Sequence, residues 1–195
     1  MAFDFEHDRT GKPPRDFEIS LDGRGDSILV TDETAATGHH SLKIIDAPGL
    51  RNIWQPHLYL KTDYHEGQVR NRFALRLEAG AKVAFEWRDW SQAEYHTGPQ
   101  LTVREGKLRV GGQELLELPD NQWVRFEVTT SLGSTDKGSW SLTVTVPGQA
   151  PHEWKNLAYG SPQFKTLTWI GFTSDANEKT IFYLDDFVVE STSSQ

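Results

Sequence analysis

The 195-residue chain has no cysteine, which excludes a disulfide framework, a thiolate nucleophile and Cys-ligated zinc. It also lacks any run of about 18 apolar residues, so no membrane-spanning helix and no membrane partner are expected. No amino-terminal stretch joins a basic head, an apolar middle and a small-residue cleavage site, so no signal peptide is expected in it. Helical periodicity is missing too: the best case, Gln113 to Leu118, is too short to count. Positive charge is in deficit, with 20 Lys+Arg against 28 Asp+Glu and a net charge of −8. Such a surface does not displace counterions from nucleic acid, so nucleic acid is not an expected partner. There is no Gly-x-Ser-x-Gly elbow and no phosphate-binding glycine motif; Gly23-Arg24-Gly25 reads as a plain loop.

What the chain does contain is aromatic bulk, 7 Trp, 10 Phe and 5 Tyr, enough to fill a single core at this length. It also contains alternation of period two. Ser41–Ile45, Arg72–Glu78, Lys82–Arg88 and Ser139–Val146 each place an apolar residue at every second position. That pattern predicts strands with one buried and one wet face. Further strands are expected at 27–31, 56–61, 100–104, 107–110, 122–129, 167–174 and 181–190, separated by turns such as Pro48-Gly49, Gly111-Gly112 and Pro147-Gly148. About eleven short strands and no helix predict an all-β, two-sheet antiparallel β-sandwich, a jelly-roll being the expected form. No composition break or repeat divides the chain, so residues 1–190 read as one domain and 191–195 as a frayed tail.

One hairpin is predicted in register. If Glu78 pairs with Lys82 across Ala79-Gly80-Ala81, then Leu77 faces Val83, Leu75 faces Phe85 and Phe73 faces Trp87 on one side. Arg72, Arg76, Glu86 and Arg88 then share the other side. The same parity turns His57, Tyr59 and Lys61 outward, and adds Trp90, Tyr95 in the adjoining loop, and Gln100, Thr102 and Arg104. Aromatic rings mixed with Arg, Glu, His and Gln suit a carbohydrate: rings stack on sugar faces while forked donors and carboxylates bond the hydroxyls. The expected ligand-binding set is His57, Tyr59, Arg72, Arg76, Glu86, Arg88, Trp90, Tyr95 and Gln100, and three arginines would also suit uronic or sulfated sugars. Cross-strand Arg–Glu pairs also occur on sheet faces that do nothing but meet water.

Acid–base chemistry on a glycan needs two carboxylates within about 5–10 Å. Glu86 and Asp89 are three apart, which puts them on opposite faces of a strand. Glu86 with His57 and Tyr59 would support proton abstraction in a lyase, with Arg88 neutralising the substrate carboxylate. His39-His40 reads as a polar turn, because adjacent strand residues point to opposite faces.

Several short motifs, in order, carry a family resemblance: Phe3-Asp4-Phe5-Glu6, Gly11-Lys12-Pro13-Pro14, Val30-Thr31-Asp32-Glu33, Gly38 to Ile44, Trp123 to Glu127, Leu167 to Phe172, and Phe182 to Val189. Together they resemble the concanavalin A-like (laminin-G-like) sandwiches and jelly-roll carbohydrate-binding modules, often attached to secreted bacterial polysaccharide-degrading proteins. The resemblance spans nearly the whole chain but lacks the Glu-x-Asp-x-Glu pattern of laminarinase-type enzymes. It implies a non-catalytic carbohydrate-binding module recognising a polysaccharide or oligosaccharide, extracellular or periplasmic, and monomeric or part of a larger multidomain protein. The alternatives are a small polysaccharide lyase or glycoside hydrolase on the same fold, and then a structural or partner-binding sandwich. It further implies a structural calcium where first and last strands meet, held by Glu6, by the Gly38–Ser41 turn and by Asp185. The alternative is that Asp185 and Asp186 cap the last strand and Glu6 is surface charge. Parity places Asp185 on one face with Tyr183, Phe187 and Val189.

Overall fold

The computed structural model describes residues 1–192, and 193–195 lie outside it. Its strands are β1 (Ala2–Phe3), β2 (Glu18–Ser20), β3 (Ser27–Thr31), β4 (Ser41–Ile45), β5 (His57–Tyr64), β6 (Gly67–Leu77), β7 (Val83–Asp89) and β8 (His96–Arg104). There follow β9 (Lys107–Val110), β10 (Gln113–Glu117), β11 (Trp123–Leu132), β12 (Ser139–Thr145), β13 (His152–Ala158), β14 (Leu167–Ser174) and β15 (Ile181–Thr192). One short 3₁₀ turn, Gly133–Thr135, is the sole helical element among the described residues. The strands form two antiparallel sheets. The first runs β13-β12-β11-β6-β15-β4-β3, with β1 added on β15; the second runs β10-β9-β8-β7-β14-β5-β2. This is the all-β jelly-roll sandwich that alternation predicts.

Alternation works here as it does because each strand has one face against the other sheet. In β7 Val83, Phe85 and Trp87 are buried while Ala84, Glu86 and Arg88 are partly exposed. At the centre Phe73 of the first sheet meets Phe85 and Phe172 of the second, with ring centroids 4.8 and 5.1 Å apart. Phe126 and Phe187 complete the cluster from the first sheet. Such aromatic pairs add about 0.5–1.5 kcal/mol each beyond the area they bury.

Three sequence expectations are corrected. The Arg72–Glu78 and Lys82–Arg88 segments do not form a hairpin. β6 pairs with β11 and β15, β7 pairs with β14 and β8, and residues 78–82 cross from one sheet to the other. Parity cannot distinguish the two cases: Phe73 and Phe85 lie on buried faces whether their strands pair edge to edge or pack face to face. Secondly, a bulge between Asp185 and Val188, with Asp186 at φ +50°, resets the parity of β15. Asp185 stays on the face of Tyr183, outside the sandwich, whereas Phe187 and Val189 turn into the core. Thirdly, Ser191 and Thr192 are not frayed but pair with Val69 and Gln68; the rest of the expected tail lies outside the described residues. The strands that alternation missed, β1, β2, β10 and β13, are peripheral and have no regular buried face.

Candidate functional site

The outer face of the second sheet carries a groove across four adjacent strands. Pairing sets its side chains in rows. Tyr59 of β5, Gly171 of β14, Glu86 of β7 and Gln100 of β8 are successive register partners. His57, Thr173, Ala84 and Thr102 form the next row, and Lys61, Trp169 and Arg88 the row on the other side. Two adjoining hollows of about 480 and 570 Å³ share His57, Arg88 and Trp90.

A flat stack of rings makes the floor. Trp169 stacks 5.3 Å from Tyr59 at 24° and lies tilted by 32°, 5.4 Å from His57, which stacks 5.1 Å from Tyr59. Gly171 makes room for it: a Cβ there would fall 2.6 Å from Tyr59 Cβ and 2.9 Å from Trp169 Cη2, and would also strike the Leu58 carbonyl. The guanidinium of Arg88 is held between two rings, 4.0 Å from the Trp169 centroid and 4.5 Å from that of Tyr95. Its Nε donates to Glu86 Oε2 at 2.8 Å. Around this floor stand Trp54, Trp90 and Tyr95, exposed by 44, 47 and 42%. Indoles that open carry stacking area not used by the fold. Trp54 meets His57 edge-on, and Trp90 packs on Tyr95.

Burial, reinforced by the charge of Arg88, lowers the His57 imidazole to about 4, so it is neutral near pH 7. Both its ring nitrogens are buried without a hydrogen-bond partner. Asp89 behaves in the opposite way. Burial alone would raise it, but N–H groups of Ser91 and Thr166 outweigh that and hold it at about 2. It faces inward, ties down two loops and stays out of the groove.

The structure therefore brings His57, Tyr59, Glu86, Arg88, Trp90, Tyr95 and Gln100 to one sheet. Arg72 and Arg76 are corrected: they lie on the outer face of the opposite sheet. There Arg72 donates to Glu190, and Arg76 donates to the Asn121 carbonyl and covers the Tyr183 ring. Their placement followed from the hairpin, and falls with it. Trp54, Trp169, Gly171, Thr173 and Asp175 are groove residues that the sequence reading did not name. Trp169, Gly171 and Thr173 were reachable, since they share one parity in a strand whose bounds were read correctly.

The residues expected around calcium gather at the 34–41 loop, yet as acceptors for N–H groups. Glu6 Oε1 accepts from His39 and His40 N–H at 2.8 and 2.7 Å, and its carboxylate sits against Gly38. Asp185 Oδ2 accepts from Ala36 and Thr37 N–H, and its Oδ1 from Asp186 N–H. Ser41 Oγ donates to the Thr34 carbonyl. Calcium takes six to eight oxygen ligands; here three of the four carboxylate oxygens of Glu6 and Asp185 accept N–H bonds. No cluster of three His, Asp or Glu suited to a metal occurs among the described residues. As folded here, the two carboxylates serve as N–H acceptors for the 36–40 loop. Burial raises Asp185 to about 6 despite its N–H partners, and N–H bonds from His40 and His39 lower Glu6.

No family model matches the sequence, and none of the curated proteins matches it. Solved structures do. A protein described as cellulose induced protein, Cip1, superposes with a TM-score of 0.62 and 15% identity, covering 100% of this chain and 98% of that one. An endo-β-1,4-glucuronan lyase from the fungus Trichoderma reesei gives 0.60 at 11% identity, covering 94% of each chain. The CBM22-1 xylan-binding domain of Paenibacillus barcinonensis Xyn10C gives 0.56 at 13% identity, covering 100% and 95%. At these identities the likeness is one of fold, the two-sheet jelly-roll sandwich.

Proposed function

We propose that the protein is a non-catalytic carbohydrate-binding module that holds a polysaccharide along the outer face of its second sheet. The observation that carries this reading is the open aromatic groove, where Trp54 and Trp90 offer free ring faces over a floor of His57, Tyr59 and Trp169. Sugar rings stack on such faces, and Thr102, Thr173 and Glu86 stand where hydroxyls would follow. The fold is shared with a xylan-binding domain and with a glucuronan lyase alike, which supports a carbohydrate ligand; we take the setting to be extracellular. Binding to a polysaccharide panel, by affinity electrophoresis and calorimetry, is the test. Trp54→Ala and Trp90→Ala are each expected to weaken binding by about tenfold or more, about 1.4 kcal/mol; unchanged affinity in both would remove the groove from the reading.

A lyase is the second reading, favoured by one feature: His57 is neutral, stacked on Tyr59, and has both ring nitrogens unpartnered. A neutral imidazole is the form a general base needs, but burial of both nitrogens and the lowering to about 4 make this one a weak proton acceptor. Against it, Arg88 is already paired with Glu86, so the group needed to neutralise a substrate carboxylate is engaged. Ultraviolet absorbance from unsaturated sugar ends, with His57→Ala as control, separates lyase from binding module.

A further inference from the structure

We infer that the groove takes an uncharged polysaccharide, not a polyuronate or a sulfated glycan. This rests on the carbohydrate reading above and names its ligand class. Three cations line the groove: Lys61, Arg88 and Arg104. Each has its own carboxylate. Arg88 bonds Glu86 at 2.8 Å, Lys61 bonds Glu18 at 3.3 Å, and Arg104 bonds Asp175.

An acidic glycan would have to compete with the carboxylates beside Arg88 and Arg104, Lys61 being only loosely paired at the exposed edge, and would bring its own negative charge up against Glu86 and Asp175. Like charges in a half-buried site repel, which disfavours that class of ligand. Arg88 is further committed by the rings of Trp169 and Tyr95, both within 4.5 Å of its Cζ, and its Nε is engaged by Glu86. The bidentate grip that makes arginine selective for carboxylates needs an open edge and an uncompensated charge. His57 adds no fourth positive charge, because burial and Arg88 keep it neutral. At long range the net charge of −8 repels polyanions as well. What the groove does offer is aromatic area and neutral or paired hydrogen-bonding groups, the complement of a sugar that presents only hydroxyls and C–H faces.

The whole protein is titrated with neutral probes (xylan, mixed-linkage β-glucan, galactomannan) and acidic probes (alginate, polygalacturonate), at low and high salt. The expected result is binding to at least one neutral glycan, with an affinity that salt changes by less than about twofold, since no net ion pair is screened. No binding to the acidic probes is expected. Asp175→Asn and Glu86→Gln, which unmask Arg104 and Arg88, should each create salt-sensitive binding to alginate or polygalacturonate; Asp175→Asn is the control should Glu86→Gln fail to fold. If wild-type protein binds an acidic probe as well as or better than every neutral one, the inference is overturned and the carbohydrate reading survives. Binding to no probe at all overturns both.

Discussion

Arg88 lies against Trp169 with its Cζ 4.0 Å from the ring centroid, so a guanidinium closes the stack that Tyr59 and His57 begin. The Tyr95 ring also lies against it, at 4.5 Å. Arg88 thus joins the sheet to the loop that carries Trp90 and Tyr95. It acts by positioning those rings.

Arg88→Lys keeps the charge but loses the plane. The expected cost is about 0.5–2 kcal/mol of stability in urea unfolding, the range for a cation over an aromatic face. Amide exchange in residues 90–95 should accelerate together with it. Unchanged exchange in that loop would show that Tyr95 is held by something else.

Gly171→Ala sets a methyl group against the Leu58 carbonyl, Tyr59 and Trp169 at once, with backbone on one side. Overpacking of this kind costs about 1–3 kcal/mol. Because Trp169 is what must move, its fluorescence and the affinity for glycan should change with the stability. A variant of wild-type stability and affinity would contradict the flat placement of the indole.

Two buried groups give opposite pH dependences. His57 is lowered to about 4 from its ordinary value near 6.5, so below that value the unfolded chain binds a proton that the native one does not. Its contribution is present above pH ~6.5 and is lost as pH falls towards ~4. Asp185 is raised to about 6, so its contribution is present below pH ~4 and is lost as pH rises through ~6. In wild-type protein the two slopes offset each other between about pH 4 and 6. Denaturant titrations across that window should show stability falling more steeply with rising pH in His57→Gln, and rising more steeply in Asp185→Asn. Parallel curves for both variants and wild type would refute the assignment.

Glu6 and Asp185 meet N–H donors at the 36–40 loop, so EDTA is expected to leave the melting temperature unmoved, and added calcium likewise. A ligand at a hundredfold excess over its Kd would add about 2.7 kcal/mol, which at about 2–4 °C per kcal/mol is a shift that calorimetry resolves easily. Such a shift with calcium, abolished in Asp185→Asn, would mean that the loop re-forms around the ion with its carbonyls inward.

Much of this fold was legible because alternation reports burial, and every central strand has a buried face. β3, β4, β9 and β14 begin and end where the pattern does. Which sheet a strand joins was not legible, since Leu75 and Phe85 satisfy the same parity across a core as across a ladder. That ambiguity put two arginines, Arg72 and Arg76, in the expected groove that belong to the other sheet. It spared His57, Tyr59, Glu86 and Gln100, which sit on strands that do lie together. Trp54 comes from an irregular segment with no period to read. Asp185 was misjudged relative to Phe187 because one residue, Asp186 in a left-handed conformation, shifts the count.

The two strands latest in chain order, β14 and β15, occupy the interior of the two sheets: β14 between β7 and β5, β15 between β6 and β4. Until they arrive, each sheet is two unjoined halves with bare ladders facing one another. Pairings such as Phe182 with Leu77 and Ile170 with Trp87 bridge long stretches of chain, the topology that folds in milliseconds to seconds instead of microseconds. Since Trp169 and Gly171 ride on β14, the floor of the groove is incomplete until β14 pairs with β5 and β7. Competence to bind emerges only when the sandwich closes, and a ligand arriving sooner finds nothing to hold.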